Sequence, residues 1–314
     1  MILHKKFILN CIFVAVAILI AGCDFITGNF SQRDFRVGNE GLTLQIEGEN
    51  LIYIYGGDEY ATNSFTLHME NRGTSHIENN DIYIRVNSPQ GFIEMQNGES
   101  ITELNTLSDT PTDVLYGRTE FTNQGDKGMH TITYNAYAPL QGATATINVD
   151  MCYRYTTKLQ VPSLCLRTNP TVNDRNCRET YSFTQGQGAP VRISRVEINE
   201  RRMDGEINHD LLLTITNAGR GITSLAEGDA FKEGCLARNE INKIRLSTIN
   251  LGTQSLQCSG ENNIISLQDG ETTVRCQVPE TIQSSEGLIH LPLTIELDYG
   301  YHVSANQRIN IQRR

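Results

Sequence analysis

The sequence predicts an all-β chain of two tandem immunoglobulin-like β-sandwich domains, joined by a disulfide-bearing hairpin and linker. Three observations carry this. Apolar and polar residues alternate along short runs, as in Ile147, Val149, Met151, Tyr153 and Tyr155 against Asn148, Asp150, Cys152 and Arg154. That is the period of a half-buried strand. Turns rich in Gly, Asn, Asp and Ser separate the runs, and no segment of helical period follows Gly22. The pattern also occurs twice. Tyr153 and Tyr299 are 146 residues apart, as are Asn71 and Asn217, Leu67 and Leu213, and Gly73 and Gly219. A spacing held by two separate strands marks an internal duplication.

Residues 1–22 read as a signal peptide: Lys5 and Lys6, then an apolar run to Ile20 broken by Asn10. The run is shorter than the ~20 residues a spanning helix needs. Ile20-Ala21-Gly22-Cys23 resembles the lipobox of bacterial and some archaeal lipoproteins. The resemblance implies lipid on the Cys23 thiol, the membrane as partner through that lipid, and a place on the outer face of the cell membrane. Residues 23–34 would then be a short stem holding one N-x-S/T sequon, Asn29-Phe30-Ser31, a candidate glycosylation site.

The formal net charge is −10, and loss of Lys5 and Lys6 takes it to −12. Such acidity disfavours nucleic acid and anionic lipid headgroups, whose binding relies on clustered cations. Residues 35–157 form the first expected domain and 190–314 the second, each large enough for a core. Leu42 to Ile46 and Leu51 to Tyr55 open the first sheet, followed by Phe65 to Met69 and Ile82 to Val86. Met129 to Tyr137 and Ala143 to Tyr155 finish it. Lys158-Leu159 is placed at the middle of a hairpin, 158–189 is the expected hairpin and linker, and its Cys165–Pro190 region is expected to clasp the domains rather than tether them loosely. The second domain begins with Val191-Ile193 and Val196-Ile198, whose change of face predicts a bulge. Leu211 to Ile215, Ile241 to Leu251, Thr273 to Val278 and Leu288 to Tyr301 follow.

Beyond Cys23 the exported part carries Cys152, Cys165, Cys177, Cys235, Cys258 and Cys276. An even count in an exported chain predicts three disulfides. The spacings match no common zinc site and include no C-x-x-C pair, so no metal is expected. Cys152 lies on the outward face of its strand, and across a hairpin Cys165 would be its partner. Cys276 shares an inward face with Val274 and Val278; its pairing with Cys258, and of Cys177 with Cys235, is one choice among many connectivities.

Gly38-Asn-Glu-Gly-Leu42, Cys152-Tyr-Arg-Tyr-Thr156, Gly186-Gln-Gly-Ala-Pro-Val191 and Leu291-Pro-Leu-Thr-Ile-Glu-Leu-Asp-Tyr-Gly-Tyr301 resemble an uncharacterised group of exported proteins of small-genome, DPANN-type archaea. The resemblance implies secretion, tandem β domains and paired cysteines. It implies no activity.

No residue pattern here marks a catalytic site. The histidines form no H-E-x-x-H or H-x-H pair, and His68, His130, His290 and His302 are expected on outward strand positions. Gly186-Gln-Gly188 precedes a strand rather than a helix, so it reads as a turn. Tyr153, Tyr155, Tyr299 and Tyr301 read as packing. The expected protein is a lipid-anchored surface component that binds an unknown protein or glycan, or builds the envelope, without a cofactor. The alternatives are a filament subunit joined by strand addition and an envelope enzyme whose site comes from distant loops.

Overall fold

The computed structural model describes residues 35–89, 91–95, 101–103, 114–137, 141–169, 177–203, 206–226, 240–279, 282 and 287–314. In the first half the strands are β1 (Leu42–Gly48), β2 (Leu51–Ile54), β3 (Tyr60–Asn71), β4 (Ile77–Glu78), β5 (Ile82–Asn87), β6 (Ile93–Met95), β7 (Ile101–Glu103), β8 (Val114–Leu115), β9 (Lys127–Tyr137) and β10 (Ala143–Arg167). The second half holds β11 (Thr180–Ser182), β12 (Val191–Met203), β13 (Glu206–Asn217), β14 (Ile222–Ser224), β15 (Lys243–Leu251), β16 (Gln254–Ser255), β17 (Gln257–Cys258), β18 (Ile264–Ser266), β19 (Glu271–Gln277) and β20 (Leu288–Arg313). The chain is all-β, as its alternation predicts.

The long strands β10 and β20 pair antiparallel from Ala143↔Ile311 to Arg167↔Leu288. Lys158 and Leu159 lie inside this ladder, opposite Glu296 and Ile295. The expected hairpin is therefore absent, and β10 runs straight through the position assigned to its turn. One register shift interrupts the pair, between Val161 and Leu164. Pro162 lies within it, where a missing N–H costs no ladder bond.

Around these two strands a central sheet takes the order β16-β15-β20-β10-β5-β7, with β2 and β14 on β20 and β18 on β15. Both halves thus contribute to one sheet, where the sequence leads one to expect two separate sandwiches. Two outer sheets, β1-β3-β9-β6 and β11-β12-β13-β19-β17, belong to one half each. Strand by strand, β1, β3 and β9 correspond to β12, β13 and β19. The expected bulge in β12 is present as a register shift between Ile193 and Arg195.

One face of β10 and β20 is buried along most of its length: Ala145, Ile147, Val149, Met151, Tyr153, Tyr155, Leu159 and Val161, facing Leu293, Ile295, Leu297, Tyr299, Tyr301, Ile309 and Ile311. These residues form one core cluster with the inward positions of both outer sheets, such as Phe65 and Leu67, or Leu211 and Leu213. Burying each such aliphatic side chain contributes ~1.5–3 kcal/mol. Residues 35–314 accordingly form one compact unit.

Candidate functional site

The duplication becomes a local two-fold relation where β10 crosses β20. Arg154 pairs with Gly300, residues that the repeat spacing makes equivalent, so this pair lies on the axis. Tyr153 pairs with Tyr301 and Tyr155 with Tyr299, and the rings contact one another at centroid separations of 5.8 and 6.1 Å. Burial pushes the Tyr155 and Tyr301 phenols up to about 12, and those of Tyr153 and Tyr299 well above the ordinary value.

Each of two phenols closes the same turn in its own half. Ser75 N donates to the Tyr155 hydroxyl at 3.1 Å, and Gly221 N donates to the Tyr301 hydroxyl at 2.8 Å. Asn71 Nδ2 donates to Ser75 O at 2.8 Å, and Asn217 Nδ2 to Gly221 O at 2.9 Å. Arg72 N and Ala218 N donate to Gly41 O and Pro190 O. The Asn-x-Gly repeat is thus a polar lock, fully buried at Asn71 and half-buried at Asn217, whose hydrogen bonds satisfy groups withdrawn from water. Tyr299 is held by Thr157 Oγ1 at 2.9 Å and by the Val191 N–H at 3.3 Å. The Tyr153 hydroxyl faces the Leu42 amide without reaching hydrogen-bond geometry.

The segment before β12 grips the first half. Gly188 N donates to Gly38 O, Gly38 N to Gln185 O and Thr74 N to Gly188 O. Gly186 has φ +81°, and a Cβ there would strike Gly38 O, so the close approach of the two backbones requires glycine. Gln187 turns its amide onto β12, donating to Ile193 O at 2.7 Å and accepting from Ile193 N at 2.8 Å.

The cysteine pairing matches the sequence expectation at Cys258–Cys276 and departs from it at Cys165 and Cys177. Cys165 bonds Cys177, and Cys258 bonds Cys276. A Cys152–Cys165 bond fails on geometry: both lie in β10, and thirteen residues of strand separate them by roughly 43 Å, far beyond the ~6 Å Cα spacing a disulfide tolerates. Cys177 is likewise not available to Cys235. Cys152 is itself disulfide-bonded and fully buried beside Tyr83, although it lies on the face of β10 opposite the core tyrosines. Cys23, Asn29 and Cys235 lie outside the described residues.

That opposite face of the central sheet is polar and internally paired. His302 Nε2 lies 3.2 Å from Asp150 Oδ1, Arg154 donates to Asp81 at 2.8 Å, Thr156 donates to Asp298 at 2.6 Å, and Lys158 lies 2.9 Å from Glu296. His130 does not join the outward histidines. It pairs with buried Leu67 on the inward face of β9, and burial lowers its pKa. His209 is buried beside Glu200 and Arg167, with its pKa also lowered by burial. Among the described residues no three metal-ligating side chains come together.

The outward faces of the outer sheets differ sharply. In the second half Asp210 is fully buried, held by Arg201 Nε at 2.8 Å and Arg275 Nη2 at 2.7 Å; beside it lies a groove of about 440 Å³. Arg195 and Glu197 pair at 2.6 Å on the same face. Two guanidinium groups thus hold the Asp210 carboxylate from neighbouring strands.

In the first half the outward cross-strand pairs are Tyr60↔Tyr137, Thr62↔Asn135, Ser64↔Thr133 and Thr66↔Thr131. The Tyr60 and Tyr137 rings lie 5.7 Å apart, and Tyr137 donates to Glu94 at 2.7 Å, which holds its phenol above the ordinary value. Thr62 donates to Asn135 at 3.0 Å, and the Thr66 and Thr131 hydroxyls lie 3.2 Å apart. A groove of about 640 Å³ continues this face, lined by Thr43, Gln45, Glu47, His68, Glu70 and Lys127 among others. Sequence reasoning missed both Asp210 and this hydroxyl ladder. The signal for the ladder was present, since Tyr60, Thr62, Ser64 and Thr66 occupy alternate positions.

No family model and no curated protein matches the chain. Among solved structures it is similar to tripeptidyl peptidase 2, at 10% identity and a TM-score of 0.21, covering 87% of this chain and 21% of that one. The chain thus spans about a fifth of that protein's length. It is also similar to the E. coli chaperone DraB, at 10% identity and a TM-score of 0.15, covering 77% and 87% of the two chains. A third likeness is to a partial N-terminal region of the enterococcal surface protein, at 8% identity and a TM-score of 0.20, covering 83% and 84%. Likenesses of this size carry no argument about function.

Proposed function

We propose that this is an exported surface protein, anchored through lipid on Cys23, whose two immunoglobulin-like halves act by binding or as an envelope component rather than by catalysis. The observation that carries the reading is the pair of disulfides, Cys165–Cys177 and Cys258–Cys276. Such staples form and persist in oxidising, extracytoplasmic compartments, in keeping with the leader-like N-terminus. The role of contact is supported by how the reactive groups are used. The buried tyrosines close turns, Asp210 is held between two arginines and the polar face of the central sheet is paired within itself.

Two measurements test it. Mass analysis of the natural protein is expected to find lipid on a cysteine at the mature N-terminus, and Cys23→Ala is expected to leave it unlipidated. Crosslinking on intact cells is expected to capture a specific surface partner. An intact leader without lipid removes the anchor. A bound cofactor whose removal abolishes a measurable turnover removes the contact reading, and long homopolymers would assign the chain to a filament.

A further inference from the structure

We propose that the outward face of the β1-β3-β9-β6 sheet binds a neutral carbohydrate chain; this deepens the contact reading above and rests on it. Four successive cross-strand pairs, from Tyr60↔Tyr137 to Thr66↔Thr131, present only phenol rings, hydroxyls and one amide. They extend over roughly 20 Å of strand. Tyr60 is 46% exposed, and Thr62, Ser64, Thr131 and Thr133 are exposed too. The Tyr60–Tyr137 contact contributes only modestly to the sheet, and the exposed ring of Tyr60 leaves apolar surface that a partner could cover.

The chemistry of the face selects that partner. Ring faces bury the apolar C–H face of a pyranose, while a phenol keeps a polar edge for hydrogen bonding. Hydroxyls in a row, each both donor and acceptor, match a ligand whose own groups are hydroxyls. Glu94 stands beside the rings and Glu47 beside His68 at the groove, and carboxylates accept strong hydrogen bonds from hydroxyl donors. The same carboxylates repel anionic ligands. An apolar protein partner would require aliphatic anchors, and none stands among the eight side chains of the four pairs. The equivalent face of the second half is crossed by the Arg201–Asp210–Arg275 and Arg195–Glu197 ion pairs, so the ladder is no by-product of the fold.

The test is affinity electrophoresis of the full-length protein in gels containing hydroxyethyl cellulose, galactomannan, xylan or mannan, with heparin as an anionic control. At least one neutral polysaccharide is expected to retard migration. Tyr60→Ala with Tyr137→Ala is expected to weaken that retardation tenfold or more, and Tyr137→Phe, which keeps the ring, to weaken it less. Arg201→Ala, on the other outer face, leaves it unchanged. Circular dichroism establishes that each variant folds; should the double alanine variant not fold, Tyr60→Ser alone replaces it. No retardation by any neutral polysaccharide, retardation by heparin alone, or equal retardation of folded tyrosine variants would overturn the proposal. If crosslinking still captures a surface partner in that event, the contact reading survives and this inference alone fails.

Discussion

The two halves agree where they face inward and part where they face out. Inside, Asn71, Gly73 and Tyr155 repeat as Asn217, Gly219 and Tyr301 with nearly the same hydrogen bonds. Outside, one half carries Tyr60, Thr62, Ser64 and Thr66 while the other carries Arg201, Asp210 and Arg275. The inner set is constrained by close packing, because a buried turn tolerates few ways of pairing its amides. An outer face is free of that constraint, so its residues can diverge without disturbing the shared core.

The inner agreement can be broken most strongly with alkali. Burial pushes the Tyr155 and Tyr301 phenols up to about 12, whereas an unfolded phenol titrates near 10. Raised folded-state pKa values mean that stability is full below about pH 10 and falls as pH rises toward 12, because only the unfolded chain releases those protons. Denaturant midpoints measured from pH 8 to 12 are expected to drop steeply above 10. The buried set should ionise only with unfolding. Midpoints flat through pH 11 would contradict the shared lock.

Next in size is the glycine pair. A Cβ at Gly73 would fall on the Tyr155 hydroxyl and one at Gly219 on the Tyr301 hydroxyl. Gly73→Ala and Gly219→Ala are each expected to cost about 3 kcal/mol, through overpacking and loss of the turn's hydrogen bond. Similar losses would show that the two locks are equivalent in energy as well as in geometry. A loss confined to one half would show that the other lock can relax.

The inner plan was legible because it is local. Alternation in Ile147–Tyr155 implied a strand, the face change between Ile193 and Val196 implied the bulge, and the spacing of 146 implied the duplication. The straight passage of β10 was not legible, since Lys158 finds its partner Glu296 far along the chain and no local residue signals whether a strand turns or continues. The Cys152–Cys165 expectation failed for the same reason. Asp210 occupies an outward position, and only the approach of Arg201 and Arg275 from neighbouring strands buries it. The ladder needed the register of β3 on β9, which pairs Tyr60 with Tyr137.

The outer contrast makes a smaller prediction for the second half. Asp210→Asn removes a fully buried carboxylate's charge from between two arginines that are each about half exposed. Water around those arginines limits the loss, so about 2 kcal/mol is expected rather than the larger cost of a wholly buried pair. Chemical denaturation in low and high salt measures it. A loss below about 0.5 kcal/mol would class the site with ordinary surface pairs.

The smallest effect on stability is expected on the other outer face. Thr66 and Thr131 touch only through hydroxyls 3.2 Å apart on an exposed surface. Water replaces such a contact readily, so Thr66→Val with Thr131→Val should change stability by no more than about 0.5 kcal/mol, and β-branched valine keeps the strand preference. The double variant nevertheless removes two hydroxyls from the middle of the ladder. If that face serves recognition, polysaccharide retardation should weaken severalfold while the denaturation midpoint holds still. A large loss of stability would instead mean that the hydroxyl ladder, like Asp210, supports the sheet, and the functional difference between the two outer faces would disappear.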